Sequence, residues 1–161
     1  TPSSPLLRTA LATLLACVGA PAALAAPTLV NGGFESGFAG WSVDNQAGGF
    51  GSFYVQSGLS SPDNGDPVPA PPEGANAAMS DGLGPGSHVL YQDFKASAGP
   101  ATLSFELFIG NRDPVGPFND PGTLDFTTAA INMQARVDIL AEGADPFSVA
   151  PADILMTLTA G

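Results

Sequence analysis

The residues with the clearest capacity for binding chemistry lie in the segment INMQARVDI, in which polar and apolar side chains alternate. Four polar side chains occupy every second position: Asn132, Gln134, Arg136 and Asp138. Successive side chains of a strand point to opposite faces, so these four are expected to share one polar face. Amide, guanidinium and carboxylate groups can form bidentate hydrogen bonds with a polar ligand. Any strand with one face in solvent shows the same alternation, so that alternative stays open.

Carboxylates and a histidine elsewhere in the chain could support catalysis, but they form no recognised catalytic motif. Asp120 and Asp125 are close in sequence, and two positioned carboxylates suffice for glycoside hydrolysis. Both belong to a predicted loop, however, and spacing within a loop does not fix the distance between two carboxylates. His88 is the only histidine and has no serine motif beside it, so an ordinary strand position is favoured. We therefore expect no catalytic residues and no enzyme activity.

Eight segments with alternating polarity or many β-branched and aromatic residues are predicted to form strands: 28–30, 41–43, 52–56, 75–80, 88–94, 101–109, 131–140 and 154–158. Turn signals rich in glycine and proline separate them. In TLSFELFI, as in INMQARVDI, apolar side chains recur at every second position. Two strands that each have a dry face need a second sheet to cover them, so the sequence predicts an all-β sandwich.

Two long loops interrupt this pattern. Residues 57–74, SGLSSPDNGDPVPAPPEG, contain too many prolines and glycines for a continuous hydrogen-bonded ladder. They form either a linker between domains or an ordered excursion over one end of a sandwich. We favour the excursion, because too few residues precede it to form a separate core. Residues 110–130 form the second loop, and loops of this length usually have a function or are disordered.

Composition excludes some classes of partner. The chain has 161 residues, 44% of them hydrophobic and 12% charged, which is typical of one globular domain with a modest core. Its net charge of −11, from 15 acids and 4 bases, argues against nucleic acid, which needs a basic face. Carboxylates and turn carbonyls are ligands that calcium prefers, although acidity also keeps an extracellular protein soluble.

The first 25 residues are expected to be a signal peptide. Arg8 precedes the apolar run TALATLLACVGAPAALA, and the Ala23–Ala25 segment has the small-x-small pattern of a cleavage site before Ala26. Processing as a lipoprotein at Cys17 is an alternative. Residues 26–161 would then form one cysteine-free domain without a membrane-spanning segment. The final residues, ILMTLTAG, resemble a strand, and we expect the domain to be incomplete at this end.

Three segments carry a resemblance to a known family. NGGFESGFAGW (31–41) resembles the opening motif of galactose-binding-like jelly rolls, HVLYQDF (88–94) resembles a strand that follows, and ATLSFELFIGN (101–111) resembles the next one. This fold occurs in many bacterial carbohydrate-binding modules and in envelope-sorted (PEP-CTERM-type) proteins of unknown function. The resemblance covers most of residues 26–161 and implies a jelly-roll β-sandwich. It is more specific for the fold than for the ligand.

The resemblance also implies candidate site residues. In this family the opening turn often helps to form a structural calcium site, which would place Glu35 on the metal, although the acid that usually completes the site is not visible here. The alternative is that Glu35 caps backbone N–H groups. Sugar would bind on a strand face or in edge loops, through the polar row of the INMQARVDI segment and the neighbouring Tyr91 and Gln92, with Tyr54 and Gln56 on adjacent strands. Trp41 is expected in the core rather than against sugar.

Two functions are therefore carried forward. The first is a secreted, non-catalytic binding module for carbohydrate or a surface glycan, with structural calcium as its candidate cofactor. The second is a structural or surface-assembly protein of the bacterial envelope, with a C-terminal sorting signal beyond Gly161. Both place the protein outside the cell or on its outer surface after cleavage near Ala25.

Overall fold

The computed structural model describes residues 29–96, 100–110, 122–129 and 135–159. This part of the chain contains no helix, and therefore none that could cross a membrane. It contains six strands: β1 (Ser42–Asn45), β2 (Ser52–Ser57), β3 (Asn76–Asp81), β4 (His88–Tyr91), β5 (Val137–Leu140) and β6 (Ile154–Thr159). The strands form three antiparallel pairs, β1 with β4, β2 with β3 and β5 with β6. The predicted all-β class is confirmed.

The first two pairs form one bent ribbon. Ser42 faces Tyr91 at one end, and Ser57 faces Asn76 at the other. The two ladders share one register, because the number of residues from Ser42 to Ser57 equals the number from Asn76 to Tyr91. Between the ladders, the backbone N–H of Gln46 donates to the Ser87 carbonyl over 2.9 Å, which keeps the two arms together. The ribbon thus brings residues that are distant in sequence side by side.

Glycine is required between the two ladders, where the connection from β1 to β2 runs beside the connection from β3 to β4. Gly51 has a φ of +87°, and a Cβ atom there would collide with the carbonyl oxygen of Asp81. Phe50, next to it, donates its backbone N–H to the Pro85 carbonyl over 2.9 Å. Only a residue without a side chain allows such close backbone approach in this conformation.

Residues 57–74 form an ordered hairpin extension between β2 and β3. Val68 donates its N–H to the Leu59 carbonyl over 3.0 Å, and Ser60 forms an isolated β-bridge with Pro67. The Gln56 side chain, only 3% exposed, donates to the Gly58 carbonyl over 2.7 Å. Because β2 and β3 pair directly on either side, residues 57–74 are an ordered connection within one hairpin. That they cover one end of a sandwich stays a prediction.

Asp81 anchors the tip of this hairpin extension. Its Oδ2 atom accepts hydrogen bonds from the backbone N–H groups of Asp63 (2.8 Å) and Asn64 (3.1 Å), and Oδ1 accepts from Gly82 (2.9 Å). Asp81 is 8% exposed. Burial raises the pKa of its carboxyl, but the hydrogen bonds from these N–H groups and from the Ser61 hydroxyl outweigh burial and lower it. No hydrophobic side chain among the described residues is as deeply buried.

The third pair lies in the C-terminal half. β5 and β6 pair with two register irregularities, beside Asp138 and beside Leu140. In the connection between them, the Ser148 hydroxyl donates to Asp153 over 2.5 Å, and Ala141 donates its N–H to the Asp153 carbonyl over 2.8 Å. These hydrogen bonds give the β5–β6 connection a defined shape without regular structure.

Six of the eight predicted strands correspond to observed ones, with shifted ends. The prediction for 101–109 is wrong, because residues 100–110 form no strand and are exposed throughout. Alternation identifies a segment able to cover a core, but a strand also needs a hydrogen-bonded neighbour, and no described strand pairs with this segment. Its large apolar side chains remain exposed: Leu103, Phe105, Leu107, Phe108 and Ile109.

The prediction for 28–30 is also wrong where it can be compared. Leu29 and Val30 form no strand, and residue 28 lies outside the described residues. The backbone of Val30 instead bonds to the side chain of Gln92, which replaces the partner strand. Within the predicted 131–140 strand, residues 131–134 also lie outside the described part.

Candidate functional site

The opening turn, residues 31–41, is organised by the side chain of Asn31. Its Nδ2 atom donates to the carbonyls of Gly37 (2.8 Å) and Ala39 (3.1 Å), and its Oδ1 atom accepts the N–H of Ser36 (3.1 Å). Asn31 has a φ of +53° and Phe34 one of +56°. Asparagine tolerates this region because its amide can bond to nearby backbone.

Aromatic rings close the turn. The ring centroids of Phe34 and Trp41 are 5.2 Å apart, and those of Phe34 and Phe38 are 6.1 Å apart with nearly perpendicular planes. The Trp41 indole N–H donates to the Val30 carbonyl over 3.0 Å. Trp41 therefore packs against Phe34 within the turn and its N–H is already used, but it is partly exposed rather than part of a buried core.

Gln92 fastens this turn to the end of β4. Its Oε1 atom accepts the Val30 N–H over 2.6 Å, and its Nε2 atom donates to the carbonyls of Val30 (3.0 Å) and Gly40 (2.6 Å). The neighbouring Tyr91 donates its hydroxyl to Asp44 over 3.1 Å. Both predicted ligand-binding residues thus make internal hydrogen bonds on the ribbon.

Glu35 makes the contacts expected of a backbone cap. Its Oε1 atom accepts the N–H groups of Ala75 and Asn76, each over 2.9 Å, where the hairpin extension returns to β3. The capped groups belong to a distant segment rather than to the turn of Glu35 itself. Among the described residues, no group of three or more His, Cys, Asp or Glu side chains is arranged to hold a metal ion. Calcium at Glu35 stays a prediction.

The predicted polar row is observed in part, with Arg136 just before β5 and Asp138 on it. Arg136 Nε lies 2.6 Å from Asp138 Oδ2, and an Arg136 terminal nitrogen donates to the Thr157 hydroxyl of β6 over 3.0 Å. The side chains of the ion pair are each 11% exposed. The two residues share a face, as their spacing indicates. Asn132 and Gln134 lie outside the described residues.

The groups considered for catalysis are His88, Asp120 and Asp125, and the described ones belong to no catalytic motif. His88 Nδ1 lies 3.0 Å from Asn45 Oδ1 across the β1–β4 pair. Burial lowers the pKa of His88, and a hydrogen bond with the Phe50 backbone acts in the opposite direction. Asp120 lies outside the described residues, so its distance from Asp125 is not defined.

A pocket opens where three connections meet, near the end of β1, in residues 122–129 and in the β5–β6 connection. It has a cavity volume of about 410 Å³, and its lining is half apolar and half polar: Gln46, Thr123, Leu124, Asp125, Phe147 and Val149. All six residues are partly exposed, so the pocket is accessible from solvent. We refer to it as the three-loop pocket.

The Gln46 amide joins two walls of the three-loop pocket. Its Nε2 atom donates to Asp125 Oδ1 over 2.6 Å, and its Oε1 atom accepts the N–H of Phe126 over 3.0 Å. Asp125 Oδ1 also accepts the N–H (3.0 Å) and hydroxyl (2.7 Å) of Thr127. The hydrogen bonds from Gln46 and Thr127 lower the pKa of Asp125 to about 2, so its carboxylate is ionised at neutral pH.

The contact between Asp125 and Thr127 is one Asx turn. A second Asx turn, at Asp145, shapes the part of the pocket formed by the β5–β6 connection. Asp145 accepts the N–H of Phe147 through Oδ1 over 2.9 Å, and its carbonyl accepts the N–H of Ser148 over 2.8 Å. Sequence reasoning considered Asp125 only as a catalytic acid and missed Gln46 and Phe147. The available signals were the local patterns DFTT and DPFS, which are typical of Asx turns.

Comparison with known proteins gives no further guide to the site: no family model, curated protein or solved structure matches this chain.

Proposed function

We propose that this protein is a secreted, non-catalytic binding module for carbohydrate. The observation that supports this most directly is the three-loop pocket, whose lining residues include an aromatic ring, aliphatic side chains, an amide, a hydroxyl and a carboxylate. Its cavity volume of about 410 Å³ lies within the range of small-molecule sites. Sugars present apolar C–H faces and hydroxyl edges, so such a mixed lining matches both parts of their surface.

The state of Asp125 suits a hydrogen-bond acceptor and does not suit a general acid. A general acid at neutral pH needs a pKa near the working pH, whereas hydrogen bonds from Gln46 and Thr127 hold the pKa of Asp125 at about 2. The carboxylate therefore acts as a fixed hydrogen-bond acceptor. The polar row of β5, with Arg136 and Asp138, is a second candidate surface within the same proposal.

The proposed fold is the galactose-binding-like jelly roll. The antiparallel ribbon and the tightly bonded opening turn support it, as do the residue patterns at 31–41 and 88–94. Export depends on residues 1–25, with cleavage near Ala25, and Glu35 remains the candidate calcium ligand.

A second candidate function is structural, as an assembly protein of the bacterial envelope. The exposed apolar row of residues 103–109 favours it, because contiguous exposed apolar surface usually marks contact with another molecule. In that case residues 103–109 would be covered by a partner.

Affinity electrophoresis in gels containing neutral polysaccharides tests the proposal. We expect the full chain to be retarded by at least one polysaccharide, and retardation to weaken in chelator if calcium supports the fold. Equal mobility in every gel, from protein that unfolds cooperatively, would favour the assembly role.

A further inference from the structure

We propose that the three-loop pocket takes one neutral sugar residue, and that Asp125 makes it reject sugars that carry a carboxylate. This inference rests on the proposed function and adds the class of sugar and the residue that selects it. It is argued from the hydrogen bonds, the lining and the charge of the pocket.

The Asp125 carboxylate is the charged acceptor of the pocket. Hydrogen bonds from Gln46 and Thr127 reach its Oδ1 atom and fix the side chain. A carboxylate held in this way is a strong acceptor for a hydroxyl group.

Two donors accompany this acceptor. The Thr123 hydroxyl oxygen accepts the N–H of Asp125 over 3.1 Å, which leaves the hydroxyl proton able to donate. The Gln46 Nε2 atom uses one of its two hydrogens on Asp125. One anionic acceptor beside two neutral donors matches neighbouring hydroxyl groups, each of which donates and accepts.

The remaining wall suits the apolar face of a sugar ring. Leu124, Phe147 and Val149 are the apolar lining residues, and Phe147 is the aromatic one among them. C–H groups of a pyranose can stack on an aromatic ring while the hydroxyl groups point to the polar wall. A fully polar ligand would leave this half of the pocket without a matching surface.

Charge excludes acidic sugars. Among the described residues, no lysine, arginine or histidine lines the pocket, and the chain carries 15 acids against 4 bases. A uronic acid would bring a second carboxylate near that of Asp125, where like charges repel and no cation of the lining compensates. A neutral hexose of the same shape avoids this repulsion.

Matched sugar pairs test the selectivity. The full chain is titrated by calorimetry with galactose, glucose and mannose, each paired with its uronic acid. For at least one pair we expect the neutral sugar to bind about tenfold or more tightly, the equivalent of one charged hydrogen bond. Equal binding, or tighter binding of the acid, would overturn the assignment.

Two variants test the residues. Asp125→Asn keeps an oxygen for Gln46 and Thr127 but removes the charge, so neutral-sugar affinity should fall about tenfold and discrimination against the uronic acid should shrink. Phe147→Leu should weaken binding by a similar factor. The matched controls are Asp63→Asn, at an exposed acid on the hairpin extension, and Phe50→Leu, at a ring that is 61% exposed. Both controls should bind like the unaltered protein.

A measurement on the unaltered chain gives a test that does not depend on whether the variants fold. In amide NMR spectra of the unaltered chain, neutral sugar should shift the side-chain amide of Gln46 and the backbone amide of Asp125. Sugar binding that moves neither signal and survives both pocket variants would overturn the pocket while leaving carbohydrate binding intact. Absence of binding to any sugar or polysaccharide would instead reject the proposed function itself.

Discussion

Three polar side chains, those of Gln92, Glu35 and Asp81, hold distant backbone segments in place. Gln92 bonds to the opening turn, Glu35 to the start of β3 and Asp81 to the tip of the hairpin extension. No hydrophobic side chain among the described residues is fully buried, so hydrogen bonds of this kind carry much of the order in the loops. Their sequence separation explains why none of these partners was predicted, although a capping role was the alternative considered for Glu35.

Replacing Gln92 with alanine should destabilise the protein. The change removes three hydrogen bonds to Val30 and Gly40, with an expected cost of about 1–3 kcal/mol in the free energy of unfolding. Urea denaturation followed by Trp41 fluorescence measures it, since the indole lies in the affected turn. Lys95→Ala, at an exposed position beyond β4, serves as the control. Identical midpoints for the two variants would contradict the role of Gln92.

Asp81 should make stability depend on pH. Although burial raises its pKa, hydrogen bonds from Asn64, Asp63 and Gly82 bring the folded-state value below the ordinary 3.8. A lowered carboxyl pKa stabilises the fold above pH 3.8, and this contribution is lost as the pH falls through the folded-state pKa.

Denaturation midpoints at pH 6 and pH 3 measure this contribution. The difference should be smaller for Asp81→Asn than for the unaltered chain, because the amide does not titrate. Asp63→Asn changes the net charge equally but leaves the Asp81 hydrogen bonds in place, so it should retain the full difference. If all three proteins lose the same stability on acidification, Asp81 is not the group responsible.

Local sequence patterns predicted the strands whose positions depend mainly on the residues within and beside them. β2, β3 and β6 combine alternation with flanking turn residues, and their positions agree with prediction within a residue or two. The segment 101–109 has the same alternation but no described partner strand, so its pattern was insufficient. Strand pairing depends on the rest of the fold, which a local pattern does not contain.

The connection between β1 and β2 should tolerate a side chain at Gly48 but not at Gly51. Both have positive φ, +83° and +87°, so alanine at either costs about 1–2 kcal/mol for backbone conformation alone. Open space surrounds Gly48, whereas a Cβ at Gly51 meets the backbone of Asp81 and Gly82. Thermal unfolding should therefore show a much larger loss for Gly51→Ala. Equal losses would mean that the two arms are not in close contact.

For the whole molecule, the sequence indicated the all-β fold class but not the position of the three-loop pocket. Frequent turns and alternation predicted an all-β protein, and the structure confirms it. The three-loop pocket could not be predicted, because Gln46 and Asp125 are 79 residues apart and meet only through the fold. The polar row was predicted from spacing within one strand, which fixes the face of Arg136 and Asp138 but not their mutual ion pair.

Export should leave a mature chain that begins at Ala26. The Ala23–Ala25 segment meets the small-residue requirement of the cleavage site, so N-terminal sequencing of secreted protein should begin APTLV. A chain that instead begins with a lipid-modified Cys17 would establish the lipoprotein alternative and place the protein on a membrane surface.

Glycan-array binding of the full chain, in buffer that contains calcium, tests the central claim most directly. If the protein is a carbohydrate-binding module with the three-loop pocket as its site, it will bind a defined set of neutral glycans and ignore their acidic counterparts. A blank array from protein that unfolds cooperatively would contradict the claim and leave the assembly role as the better account.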